Sequence, residues 1–163
     1  MGEKSFDALR VLETAKEVER RSQAFYEEAA KAASDQKVKG MFLTLAQDEA
    51  THITDLERIG EGLEKTFPAL SRQVDVGSLT TRFKDLLFPE DPSRILSDTS
   101  KLTEMQALER GIQLERESIE LYEDAAEKET SPGASNAFRR LVMEERMHLF
   151  ILNLRLDLLK LRS

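Results

Sequence analysis

The chain has 163 residues, a formal net charge of −7, four prolines, seven glycines, two histidines and no cysteine. That length is most simply one domain with a real hydrophobic core, and a composition rich in Leu, Glu, Ala, Lys and Arg but poor in helix breakers favours a water-soluble all-α protein. The acidic balance argues against a nucleic-acid-binding surface, and the lack of cysteine excludes disulfides, thiolate metal sites and cysteine catalysis.

The absence of cysteine also fits a cytoplasmic protein. Met1-Gly2-Glu3-Lys4-Ser5 lacks the apolar core of a signal peptide, and Phe6 stands where a myristoylation signal wants Ser or Thr. No apolar run approaches the roughly 18 residues that span a bilayer, so no membrane partner is expected. The basic pairs Arg20-Arg21 and Arg139-Arg140 sit beside acidic residues and read as solvated helix faces.

In chain order, Ser5 is placed to cap a first helix, with Asp7 in its first turn. Leu9, Leu12, Ala15, Val18, Ser22, Phe25, Ala29 and Ala33 follow at helical spacing, and Glu19 falls on this inward stripe. Ser34-Asp35 forms a turn with a new cap. A second helix runs from Gln36 to Lys65 with an apolar face of Val38, Phe42, Leu45, Ile53, Leu56, Ile59 and Leu63. Glu49 and His52 fill the gap in that face. Glu19 lies 15 residues before Ser34, and Glu49 lies 14 residues after Asp35. In an antiparallel hairpin both therefore sit about 21 to 23 Å from the turn, at one height.

Residues 66–100 break the pattern with Phe67-Pro68, Gly77, Phe88-Pro89-Glu90-Asp91-Pro92 and Ser97-Asp98, and residues 79–88 can form a short amphipathic helix. This segment is too long for a tight turn and reads as an ordered crossover from one end of a bundle to the other. A third helix spans about Ser100 to Glu129, with Met105, Leu108, Ile112, Glu115, Ile119, Tyr122 and Ala126 inward. Ser131-Pro132-Gly133 reads as a stop. A fourth helix runs from about Ala134 almost to the end, with Phe138, Leu141, Val142, Leu149, Leu152 and Leu156 inward. After His148 it is apolar on a further side, through Phe150, Ile151, Leu154, Leu158, Leu159 and Leu161, a face suited to the crossover or to a second copy in a homodimer. The expected organisation is a single domain over residues 1–163: hairpin 5–65, crossover 66–100, hairpin 101–162.

Both histidines follow a glutamate by three residues, Glu49/His52 and Glu145/His148, at an offset of 96. Residues three apart share a helix face, so each pair can reach one point. The repeat extends further: Glu19-Arg20-x-Ser22-x-x-x-Tyr26-Glu27-x-Ala29-Ala30 aligns with Glu115-Arg116-x-Ser118-x-x-x-Tyr122-Glu123-x-Ala125-Ala126, Phe42 with Phe138, and Leu45 with Leu141. Two hairpins of one design imply a bundle with an internal near-two-fold axis. A site at that axis receives Glu19, Glu49, His52, Glu115, Glu145 and His148. Four carboxylates and two imidazoles suit a pair of first-row divalent ions and leave the filled site close to neutral. Tyr26 and Tyr122, each two turns beyond a glutamate, either donate to a ligating carboxylate or pack in the core with the hydroxyl at the bundle edge.

One glutamate from each of two helices plus a Glu-x-x-His from each of the others is the pattern of ferritin-like dinuclear proteins. The chain resembles the rubrerythrin-type branch of that superfamily over about residues 8–63 and 104–160. The resemblance implies a ferritin-like four-helix bundle and two iron ions held by those six residues, manganese or zinc suiting the same donors, with Tyr26 and Tyr122 at the family's usual tyrosine positions. It further implies reduction of hydrogen peroxide or dioxygen. Two departures stand out. Rubrerythrins commonly append a cysteine-ligated rubredoxin domain, so electrons here would come from another protein. They also carry an additional glutamate three residues after the third-helix ligand, where this chain has Ser118, so redox-linked iron movement does not carry over. The favoured expectation is a di-iron oxidoreductase; an iron-oxidising storage or transfer protein, and a bundle whose metals serve structure or sensing, are the alternatives.

Overall fold

The computed structural model describes residues 2–66, 98–129 and 131–162; the side chains of residues 2–10, 64 and 66 lie outside that description. Its helices are α1 (Gly2–Ala32), α2 (Gln36–Thr66), α3 (Glu104–Lys128) and α4 (Pro132–Lys160). α1 packs along α2 and α3 along α4, and the hairpins meet through α1 against α3 and α2 against α4. This is the ferritin-like four-helix bundle expected from the sequence.

The helix boundaries have local causes. Asp35 Oδ1 accepts from the Lys37 N–H at 2.7 Å, satisfying a free donor at the start of α2. α3 begins at a full capping box: the Gln106 N–H donates to Thr103 Oγ1, and the Thr103 N–H to Gln106 Oε1 at 2.9 Å. The third helix therefore starts at Glu104, not Ser100. Ser131-Pro132-Gly133, which read as a stop, instead launches α4. Ser131 caps it, and Pro132 occupies a first-turn position where its missing N–H costs nothing. α1 begins at Gly2, before the expected Ser5 cap. Apart from Asp98, the breaker signals and amphipathic stretch assigned to the crossover fall within residues 67–97, outside the described residues.

The stripes read from the sequence form the core. Leu12, Phe25, Phe42, Leu45, Leu56, Leu108, Leu141 and Leu152 are all essentially inaccessible. Each such side chain contributes roughly 1.5–3 kcal/mol over its exposed state. Tyr26 stacks on Phe42 at 6.0 Å and Tyr122 on Phe138 at 6.2 Å, so the internal repeat is kept in the packing. Ile53, Ile59, Met105, Ile119 and Leu149 are only partly buried, at the edges of their stripes. On α4, Met143, Met147, Phe150 and Leu154 form an exposed outer face, continued by Leu161 just past its end.

One end of the bundle is pinned by Arg155. Its Nη2 reaches Asp35 Oδ2 at 2.8 Å and Glu104 Oε1 at 3.1 Å, joining α4 to the α1–α2 turn and to the start of α3. The Lys37 backbone N–H and the Arg155 guanidinium hold the Asp35 carboxyl below its ordinary value. A carboxyl lowered in the folded state stabilises above its unfolded pKa, and that contribution is lost as pH falls through the folded pKa. Asp35→Ala is therefore expected to lower the melting midpoint at neutral pH, with the gap to the parent narrowing as pH falls below the ordinary Asp value of about 3.9, as thermal melts across pH will check.

Candidate metal centre

Each helix delivers its acidic or imidazole group to the middle of the bundle, at the height the hairpin register predicts. α1 brings Glu19, α2 Glu49 and His52, α3 Glu115, and α4 Glu145 and His148. All six are buried, none more than 5 % exposed. The two imidazoles stack with centroids 5.5 Å apart and planes 22° from parallel. The sequence-derived set is thus brought together without exception.

Both rings turn Nδ1 inward. His52 Nδ1 lies 3.0 Å from Glu49 Oε2, 3.0 Å from Glu145 Oε1 and 3.5 Å from Glu19 Oε2. His148 Nδ1 lies 3.0 Å from Glu145 Oε2, 3.6 Å from Glu49 Oε1 and 3.7 Å from Glu115 Oε1. Two four-residue groups result, Glu19/Glu49/His52/Glu145 and Glu49/Glu115/Glu145/His148, each with donor atoms within 4.8 Å of one another. Glu49 and Glu145 belong to both.

Hydrogen bonding accounts for only part of this proximity, the pairing of His52 Nδ1 with Glu49 Oε2. Glu19 Oε2, Glu49 Oε1, both Glu145 oxygens and His148 Nδ1 are buried without a hydrogen-bond partner. Buried polar atoms left unpaired cost about 1–3 kcal/mol each, more when charged. Several such atoms directed at common points are what a bound cation would satisfy, and the mixed oxygen and nitrogen donors suit a first-row divalent ion.

The electrostatics agree. Burial, reinforced by Glu145, pushes Glu115 up to about 8. Burial also raises Glu49 well above the carboxylate range, helped by the charges of Glu19 and Glu145. For Glu145 burial acts upward, but His148 and His52 outweigh it and hold the group down to about 2. Burial opposes charging of both histidines, yet their carboxylate neighbours raise each far above its ordinary value. Protons on the imidazoles and on some carboxyls thus neutralise the crowd when no cation does.

The tyrosines resolve in favour of the polar role, with a crossing not foreseen. The Tyr26 hydroxyl donates to Glu115 and the Tyr122 hydroxyl to Glu19, each reaching the glutamate of the other hairpin. Both tyrosines are fully buried, which together with the facing carboxylate raises their pKa well above the usual phenol value. Gly111 makes room for Tyr26: a Cβ there would stand 3.2 Å from the Tyr26 ring and 3.3 Å from Leu152.

Two acids escaped the sequence reading. Glu144 Oε2 lies 3.0 Å from His52 Nε2, and Asp48 Oδ2 lies 3.3 Å from His148 Nε2. Their signal was present, because each directly precedes a Glu-x-x-His glutamate and they share the 96-residue offset. As exposed residues on a charged helix they do not disturb the apolar periodicity, so the stripe analysis passes over them.

Fold and site together define a ferritin-like carboxylate protein, a four-helix bundle whose core gathers duplicated glutamate and histidine groups able to hold metal. A family model for rubrerythrin matches residues 10–154, and the chain belongs to the rubrerythrin family, whose members bind iron. The chain has no significant match among curated proteins or solved structures. Among the described residues, no helix is long and apolar enough to cross a membrane.

The pKa shifts fix a pH trend for the metal-free protein. Glu115 binds its proton more tightly folded than unfolded, so stability falls as pH rises from its unfolded value to about 8. Glu49 and the histidines act in the same direction, while the Glu145 contribution is constant above its unfolded pKa. Chelator-treated protein is expected to melt at lower temperature as pH is raised from about 5 to 8, and added divalent metal to restore more stability at the upper end.

Proposed function

We propose that Glu19, Glu49, His52, Glu115, Glu145 and His148 hold two iron ions, and that the loaded protein reduces hydrogen peroxide or dioxygen with electrons from a separate protein. The observation that carries this reading is the pair of four-residue groups sharing Glu49 and Glu145, with inward atoms that lack hydrogen-bond partners. Glu19 and His52 would serve one ion, Glu115 and His148 the other, and Glu49 and Glu145 both. When bound, the ions supply the electrons and a Lewis-acidic seat for the O–O unit.

The remaining work falls to the chain. Four carboxylates offset the four positive charges of two divalent ions in a core that excludes bulk water. Tyr26 and Tyr122 orient Glu115 and Glu19 through their hydroxyl protons, so these glutamates keep their aim during changes of charge. Reducing peroxide to two waters consumes two electrons and two protons. These 163 residues contain no cysteine and hence no thiolate electron-delivery centre of their own, so the electrons would enter from outside them.

Glu145→Ala is expected to cut bound iron from about two ions per chain to fewer than one, and His148→Ala to about one, while both leave the far-ultraviolet helical signal intact. Full occupancy in either variant would overturn the assignment. With reduced, iron-loaded protein, the optical spectrum should change faster on adding peroxide than on admitting air. The reverse order would move the reading to an oxygen-consuming, iron-oxidising protein.

A further inference from the structure

The six inward groups leave one side of each imidazole unexplained. Both rings present Nδ1 to the centre and Nε2 to the bundle surface, and at each Nε2 stands a carboxylate that belongs to neither metal group. The pairing crosses the hairpins: Asp48 on α2 meets His148 on α4, and Glu144 on α4 meets His52 on α2.

We propose that Asp48 and Glu144 are positioning residues, each fixing the ring of the histidine on the opposite hairpin so that its Nδ1 lone pair faces the centre. This rests on the metal-binding reading above. An imidazole has two nitrogens, and in its neutral form only one carries a proton. A carboxylate at Nε2 accepts that N–H, which leaves the lone pair on Nδ1 for a cation and strengthens the imidazole as a donor.

Four observations favour this role over that of incidental surface acids. Both contacts place an oxygen within 3.3 Å of the ring nitrogen, although Asp48 and Glu144 are about half exposed and free to turn into solvent. Among the described residues Asp48 has no ion-pair partner other than His148. Glu144 keeps its contact with His52 at 3.0 Å while Arg140 Nε stands 3.8 Å from its other oxygen. Finally, the contact is duplicated by the near-two-fold although the residue type is not, Asp in one half and Glu in the other.

The role predicts a division of labour that general structural support would not produce, because each acid serves one histidine and so one ion. Cobalt(II) titration of the metal-free full chain, followed by visible absorption and equilibrium dialysis, should show two equivalents for the parent. Asp48→Asn should weaken one equivalent by about 10- to 100-fold and spare the other; Glu144→Gln should do the same at the opposite half; the double variant should weaken both. Asp48→Glu should recover most of the loss. Parent-like titration of both single variants would overturn the proposal, as would equal loss of both equivalents in either single variant. If Glu145→Ala abolishes cobalt uptake while the Asp48 and Glu144 variants titrate normally, the positioning role alone fails. A parent chain that takes up no cobalt sinks this inference and the reading beneath it together.

Discussion

The structure turns on four carboxylates and two imidazoles forced into one dry volume where the hairpins meet. Burying even one unpaired charge costs several kcal/mol, and here six ionisable groups share a core with fully buried leucines on either side. Such a cluster persists only if its charges are offset from within. Without a cation, protons on the imidazoles and on carboxyls such as Glu115 do this. Under the metal-binding reading proposed above, the same oxygens and nitrogens would coordinate divalent cations instead.

The same cluster is also the seam of the bundle. Within a hairpin the helices meet through leucine, phenylalanine and alanine. Between hairpins the specific contacts are largely polar: Tyr26 to Glu115, Tyr122 to Glu19, His52 to Glu145 and His148 to Glu49. A polar seam cannot slip by one turn without unpairing buried groups, so it fixes the register of one hairpin against the other more sharply than apolar packing would. Arg155 reinforces that register at one end by joining Asp35 to Glu104. The repeat is not carried into that clamp, since the positions 96 residues away from Asp35 and Arg155 are Ser131 and Ile59.

Much of this was legible before any coordinates. Two rare histidines in one spacing, an ungapped repeat and a count from the Ser34-Asp35 turn place Glu19 and Glu49 at one height with His52 about a turn away, and carry the same arrangement to the second hairpin, because helical rise is nearly constant. What could not be read depends on lateral neighbours. Periodicity shows that Tyr26 faces inward but not that it reaches past its own hairpin to Glu115. It cannot show that Asp48 and Glu144 stand behind histidines on another helix. Helix starts were misplaced for a different reason. Thr103 and Ser131 act through cap geometry, so a Ser-Pro-Gly run that looks like a break is equally a well-formed beginning.

The near-symmetry itself bears on what the centre can do. A bundle made of two like hairpins offers two like positions, and Ser22 and Ser118, both buried, occupy corresponding places three residues beyond Glu19 and Glu115. Neither half has a further carboxylate there to draw an ion away from its histidine. The departures from symmetry lie farther out, in Gly111 against Ala15, Asp48 against Glu144, and Arg140 against Thr44. These touch the tyrosine packing and the outer faces of the imidazoles, not the inward donors. If each half holds an ion as proposed, differences between the two positions would arise through how firmly each donor is aimed, because the inward donors are of the same types. In a buried site this is a strong lever: a ring or carboxylate held in place before a cation arrives loses little freedom on binding, while one left loose must be ordered first.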